Sequence, residues 1–142
     1  QRRLYNLRKY ANLDQYRQEL INLSVENPVI EAVIRLPDEL GLIQLSDNEL
    51  ENKISPSFTV KLKPPAAGQM VSIGFRGEGK CKPVGRQGSR SIKKLYQEYQ
   101  VAPWLRNRIP LIYYDDVLVC ALGLWICEGY QDELGWCVSW WK

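Results

Sequence analysis

The chain has no histidine at all. Without an imidazole, the Ser-His and Cys-His nucleophilic pairs and the common zinc hydrolase sites have no base or ligand to work with. Four cysteines are present, Cys81, Cys120, Cys127 and Cys137, but none forms a Cys-x-x-Cys pair, so no zinc site is expected. Long apolar runs are also missing. The longest, near residues 117–127, is interrupted by Gly123 and falls short of the ~18 residues that a membrane span needs, so neither a span nor an anchor is expected. There is no Gly-x-Ser-x-Gly elbow and no phosphate-binding P-loop, and Gly77-x-Gly79 lacks the third glycine of a dinucleotide fingerprint. Neither an initiator methionine nor an apolar signal-like segment accompanies Gln1-Arg2-Arg3. The chain is therefore expected to be a piece of a longer protein whose chemistry lies elsewhere.

What is present is ordinary globular composition, 45% hydrophobic and 25% charged over 142 residues, enough for one domain and part of a neighbour. The cysteine count is even and would fit two disulfides of a secreted module. Cys120 and Cys127, however, sit in an apolar run beside Trp125, where a thiol acts as a small core hydrophobe, and reduced cysteines in a cytoplasmic protein are expected.

Charge is unevenly spread. Residues 76–108 hold Arg76, Lys80, Lys82, Arg86, Arg90, Lys93, Lys94, Arg106 and Arg108 against Glu78 and Glu98, net +7, whereas the whole chain is +3 and the remainder is −4. A cluster of that kind can hold phosphates, although charge runs are often only solvated faces.

The residues 1–27 mix strand-like and helical spacing and are taken as the tail of a preceding domain and a connector; residues 28–142 are taken as the domain itself. Strands are expected at 29–36, 42–45, 57–63 and 71–76. The cleanest period of two sets Phe58, Val60 and Leu62 against Thr59, Lys61 and Lys63. Polar 47–53 is expected as a loop or short helix. The strand ending at Arg76 opens a loop with Gly77, Gly79, Gly85 and Gly88 among its basic residues. Those glycines can admit an anion to the backbone amides, or can simply serve a turn.

Ser89 or Ser91 can cap a helix starting near Ile92, with Ile92, Leu95, Tyr96 and Tyr99 on its buried face and Lys93, Lys94 and Gln97 outside. The helix start and the cations favour an anion in the same place. Pro103 opens a second, short helix, and Trp104 and Leu105 are expected to fasten it to the core while Arg106 and Arg108 project, the other role open to Trp104 being a base-stacking platform. Strands follow at 111–114, 117–125 and 136–141, with Asp115-Asp116 as a hairpin turn and not a metal site. The sum is an α+β, β-dominated fold, a small sandwich or barrel-like sheet core with one main basic helix and a short second one.

Lys82-Pro83-Val84-Gly85-Arg86, Gly88-Ser89-Arg90-Ser91-Ile92-Lys93-Lys94-Leu95-Tyr96-Gln97-Glu98 and Val101-Ala102-Pro103-Trp104-Leu105-Arg106-Asn107-Arg108-Ile109-Pro110-Leu111-Ile112-Tyr113 closely resemble the C-terminal domain of the bacterial tRNA(Ile)-lysidine synthetase family. Asp116-x-Leu118-Val119 and Gly123-Leu124-Trp125 fit the same pattern. The resemblance implies a β-rich fold similar to one in the phenylalanyl-tRNA synthetase β chain. It also implies a parent ligase that adenylates the wobble cytidine of an isoleucine tRNA with a CAU anticodon and then attaches lysine. ATP and magnesium would serve the parent's PP-loop catalytic domain, with no cofactor in this stretch. The implied role here is to hold the tRNA body and acceptor stem. Arg86, Arg90, Lys93 and Lys94 are the leading candidates for phosphate contact, and Arg76, Lys80, Lys82, Arg106 and Arg108 come second; no catalytic or metal residue is expected. The alternative is an interaction or dimerisation module, with the basic patch on an acidic surface of the parent's own catalytic domain or of a second copy, and Trp136, Trp140 and Trp141 at the contact.

Overall fold

In the computed structural model, residues 5–6, 31–36, 38–46, 56–66, 69, 71–75 and 79–142 are described. Of the expected connector only β1, Tyr5–Asn6, is among them, and the expected 47–53 excursion and Arg76 lie outside them. Two antiparallel sheets form the body. The first has the order β1-β5-β8-β9-β10, with β5 Val71–Gly74, β8 Leu111–Tyr114, β9 Val117–Ala121 and β10 Trp125–Ile126. The second runs β2-β3-β11-β4, with β2 Glu31–Arg35, β3 Leu42–Ser46, β4 Phe58–Leu62 and β11 Trp136–Trp141.

The alternation along β8 explains the layering. Ile112 and Tyr114 point into a core shared with Ile43, Leu45, Leu62, Val138 and Trp140 of the second sheet. Leu111 and Tyr113 point the other way, into a core closed by Ile92, Leu95 and Tyr96. Because both faces of the first sheet are covered, all four residues of β8 and of β5 are buried, as a strand between two layers requires. The fold is thus a β-dominated α+β sandwich with a helical layer on one outer face.

That outer layer is the expected basic helix, α1, Ile92–Glu98, capped by Ser91, whose Oγ accepts from Lys94 N–H at 3.2 Å. Gln100 takes φ 55° and the Val101 N–H returns to Tyr96 O at 2.9 Å, which ends the helix. Pro103–Arg108 is a 3-10 helix. The strand expected over 117–125 is broken: β9 stops at Ala121, and the chain turns through Gly123, with Leu124 N–H on Ala121 O, before β10. Asp115 and Asp116 form the expected hairpin turn, Asp115 with φ 52°.

The expectation of four reduced cysteines is overturned at one pair. Cys81 and Cys127, 46 residues apart, are disulfide-bonded with Cα atoms 5.7 Å apart, because residues 82–84 pair with 126–128. Cys120 and Cys137 are free and buried; burial pushes the Cys120 thiol up. Trp136 and Trp140 fill the core between the sheets and are not surface contacts, and Trp140 Nε1 donates to Leu40 O at 2.8 Å.

Candidate nucleic-acid interface

The basic stretch folds as a ribbon leading into a helix. β6 Lys80–Cys81 pairs with β7 Arg90–Ser91, so that Lys80 lies opposite Ser91, the cap of α1. Residues on either side of the eight-residue loop 82–89 thereby meet at the helix start, with Lys80, Arg90, Lys93 and Lys94 around it. The glycines serve this geometry. Gly79 and Gly85 have φ of 112° and 82°, and an added Cβ at either would meet nothing, so backbone conformation and not room for a ligand is what requires glycine there. Helix α1 has only seven residues, and the side-chain cations outweigh its dipole in the local field.

The underside is firmly held. Leu95 is fully buried, and Trp125 packs against Tyr96 and Tyr99 at ring-centroid distances of 5.6 and 5.2 Å. Val84 N–H donates to Ile126 O and Glu128 N–H to Lys82 O, which stitches the loop to β10. Tyr96 is buried without a hydrogen-bond partner for its hydroxyl, and desolvation pushes its pKa up.

Above this floor the candidate cations separate by what they touch. Glu98 binds two of them: Arg90 Nε at 2.7 Å and Arg86 Nη1 at 3.6 Å. Arg90 Nη1 also donates to the carbonyls of Gln87 and Gly88, and the Arg86 guanidinium lies 4.3 Å from the Tyr99 ring centroid. Lys82 pairs with Glu128 at 2.8 Å. Arg106 Nε donates to Val101 O at 3.0 Å and is partly buried, so it clamps the 3-10 helix to the end of α1 and projects less than expected. Arg108 Nη2 reaches Asp38 O at 3.4 Å. Lys80, Lys93 and Lys94 are exposed, and among the described residues they have no acidic partner.

Trp104 corrects the sequence expectation. It is 77% exposed and Leu105 46%; the short helix is fastened instead by Val101 and Ile109 on either side of it and by the Arg106 clamp. A 3-10 helix has three residues per turn, so a six-residue piece with Arg106 turned inward and Ile109 anchoring its end leaves Trp104 outside. Sequence reasoning missed Glu98 as the organiser of two arginines, because Arg90 stands in β7 ahead of the helix and Arg86 in the loop before it, and only the fold brings them to the carboxylate. Among the described residues no group of acidic or cysteine side chains is placed to hold a metal ion, and no helix is long and apolar enough to cross a membrane.

Residues 71–140 match the family model of the TilS substrate C-terminal domain. The chain is 39% identical to a tRNA(Ile)-lysidine synthase of Serratia proteamaculans (strain 568), a match covering 99% of this chain and 29% of that protein. It is 37% identical to the tRNA(Ile)-lysidine synthase of Photorhabdus laumondii, with 92% and 28% covered, and 34% identical to that of Edwardsiella ictaluri, with 99% and 29% covered. The chain thus spans under a third of the length of these relatives.

Proposed function

The chain belongs to the family of the TilS substrate C-terminal domain, and from that premise we propose that it is the tRNA-holding end of a tRNA(Ile)-lysidine synthase. In this reading the whole protein ligates lysine to the wobble cytidine of the CAU-anticodon isoleucine tRNA. Its catalytic part, with ATP and magnesium, adenylates the base, and the domain described here keeps the tRNA body and acceptor stem in place. The partners are that tRNA and the protein's own catalytic part.

One observation carries the proposal: three lysines that have no acidic partner among the described residues, Lys80, Lys93 and Lys94, meet at the start of a helix whose other face is locked into the core. The A-form major groove is too deep and narrow for side chains, so an RNA helix is gripped through phosphates, riboses and shape. Lysines suit that task, because their backbone positions are fixed by the core beneath while the flexible stems let each ammonium find a phosphate. Arg86 and Arg90 contribute through the same surface but share Glu98. Arg108 extends the surface along the 3-10 helix, with Lys82, Arg106 and Arg76 as flanking contributors.

The reading places the protein in the cytoplasm, where reductants oppose disulfides. The backbone bonds between residues 82–84 and 126–128 then hold the ribbon without the Cys81–Cys127 link. Binding of the isoleucine tRNA by the full-length protein, measured across a salt series, tests the proposal. Lys80→Ala, Lys93→Ala and Lys94→Ala are each expected to lower the slope of log affinity against log salt by up to about 0.9, with little change in preference between RNA duplex sequences. An unchanged slope and affinity in the triple variant would falsify it.

A further inference from the structure

Beside the basic surface lies a cleft of about 450 Å³, bounded by the 3-10 helix, the turn after β9 and the edge of the second sheet. Its lining is largely apolar, with Leu105, Ile109, Leu124 and Phe58 among the residues that form it. Arg108 and Lys142 are the two cationic side chains among the lining residues, and Glu39 is the one acidic side chain. Arg108 is held there by the Asp38 carbonyl, and Lys142 Nζ sits 5.1 Å from the Phe58 ring centroid and 4.7 Å from that of Trp140.

We infer that this cleft seats one unpaired nucleotide of the bound RNA, its base against Leu105, Ile109 and Leu124 and its phosphate on Arg108 and Lys142. The inference rests on the proposed RNA-holding role and adds to it a site for a single-stranded residue. Size and chemistry both point that way. A volume in the lower part of the small-ligand range suits one nucleotide; apolar walls suit a base that has left water, and cations among the lining residues suit the phosphate that remains in solvent. The cleft is continuous with the basic surface through Tyr99, which lines it and also carries the Arg86 guanidinium on its ring. An RNA helix lying on Lys93 and Lys94 would thus have room to send an unstacked residue into the cleft.

The test compares, on the full-length protein, a blunt RNA duplex with the same duplex carrying unpaired 3′ nucleotides, one of them 2-aminopurine. The unpaired nucleotides are expected to tighten binding about tenfold, and the 2-aminopurine fluorescence to change on binding as the base leaves water for the apolar walls. Leu105→Gln, at an uncharged, half-exposed position, is expected to cut that gain to about threefold or less while blunt-duplex affinity stays within about twofold. Equal affinity for blunt and overhung duplexes in the unaltered protein overturns the inference, and that is also the result expected if the cleft holds a peptide. A gain that survives both Leu105→Gln and Leu124→Gln overturns it as well. Failure to bind either duplex sinks the phosphate-grip reading itself.

Discussion

Two carboxylates, Glu98 with Arg90 and Arg86 and Glu128 with Lys82, take up part of the positive charge on this surface. Glu98 holds Arg90 in a 2.7 Å ion pair and Arg86 at 3.6 Å, with its own side chain 25% exposed. Removing Arg90 strips Glu98 of its nearer cation, so Arg90→Ala is expected to lower folding stability by about 1 kcal/mol as well as RNA affinity. Lys94→Ala, exposed and without such a contact, should leave the denaturation midpoint within the error of about 0.5 kcal/mol and act on RNA binding alone. Parallel urea titrations and salt-dependent binding of the two variants check the distinction; equal stability loss in both would refute it. Trp104 belongs to the same scale. Being 77% exposed, Trp104→Ala is expected to cost under about 0.5 kcal/mol of stability, far from the 3 to 5 kcal/mol of a core tryptophan. Sequence composition cannot separate Trp104 from Trp140, which is 2% exposed, because both sit among apolar neighbours.

Among the elements, the first sheet is an interior layer and α1 is its lid. Leu95 is the fully buried centre of the lid contact, and Leu95→Ala should cost about 2 to 5 kcal/mol and loosen the seating of Lys93 and Lys94, so calorimetry and tRNA binding should fall together. The β2–β3 turn has a different vulnerability. Gly41 has φ 96°, and a Cβ there would collide with the Trp141 carbonyl, so Gly41→Ala is expected to destabilise by about 2 kcal/mol or more in urea denaturation. Much at this scale was legible beforehand. The alternation of Phe58, Val60 and Leu62, the Ser91 cap with Ile92, Leu95 and Tyr96 behind it, and the Asp115-Asp116 turn are all short-range patterns. The break after Ala121 was missed although it had a local mark, Gly123, the one glycine in an otherwise apolar run over residues 117–125 and the residue through which the chain turns.

At the scale of the whole molecule, stability depends on links between distant parts. In oxidising buffer the Cys81–Cys127 bond closes a span of 46 residues, and Cys81→Ser with Cys127→Ser should cost about 3 to 4 kcal/mol. In reducing buffer the variant and the parent protein should differ little, and chemical denaturation under both conditions reads the difference. Alkali acts on the buried phenols and thiol. Burial raises the folded pKa values of Tyr96, Tyr114 and Cys120 above their ordinary values of 10.0, 10.0 and 9.0, so above those values the unfolded chain releases protons that the folded chain keeps. Their contribution is complete below about pH 9 and drains away as pH rises toward the folded values, and a falling denaturation midpoint in that direction is expected.

Periodicity, capping, turn chemistry and the +7 segment were fixed by residues close together along the chain, where spacing alone determines which side chains share a face. The sequence by itself therefore determined the β-dominated class, the basic helix and the cationic character of one surface. Only tertiary structure decided which cations stand without an acidic partner, which tryptophans are buried, where two cysteines meet and where a cleft opens. Those outcomes depend on pairs such as Arg108 with Asp38 and Trp140 with Leu40, 70 and 100 residues apart, which sheet order brings together and local pattern does not record.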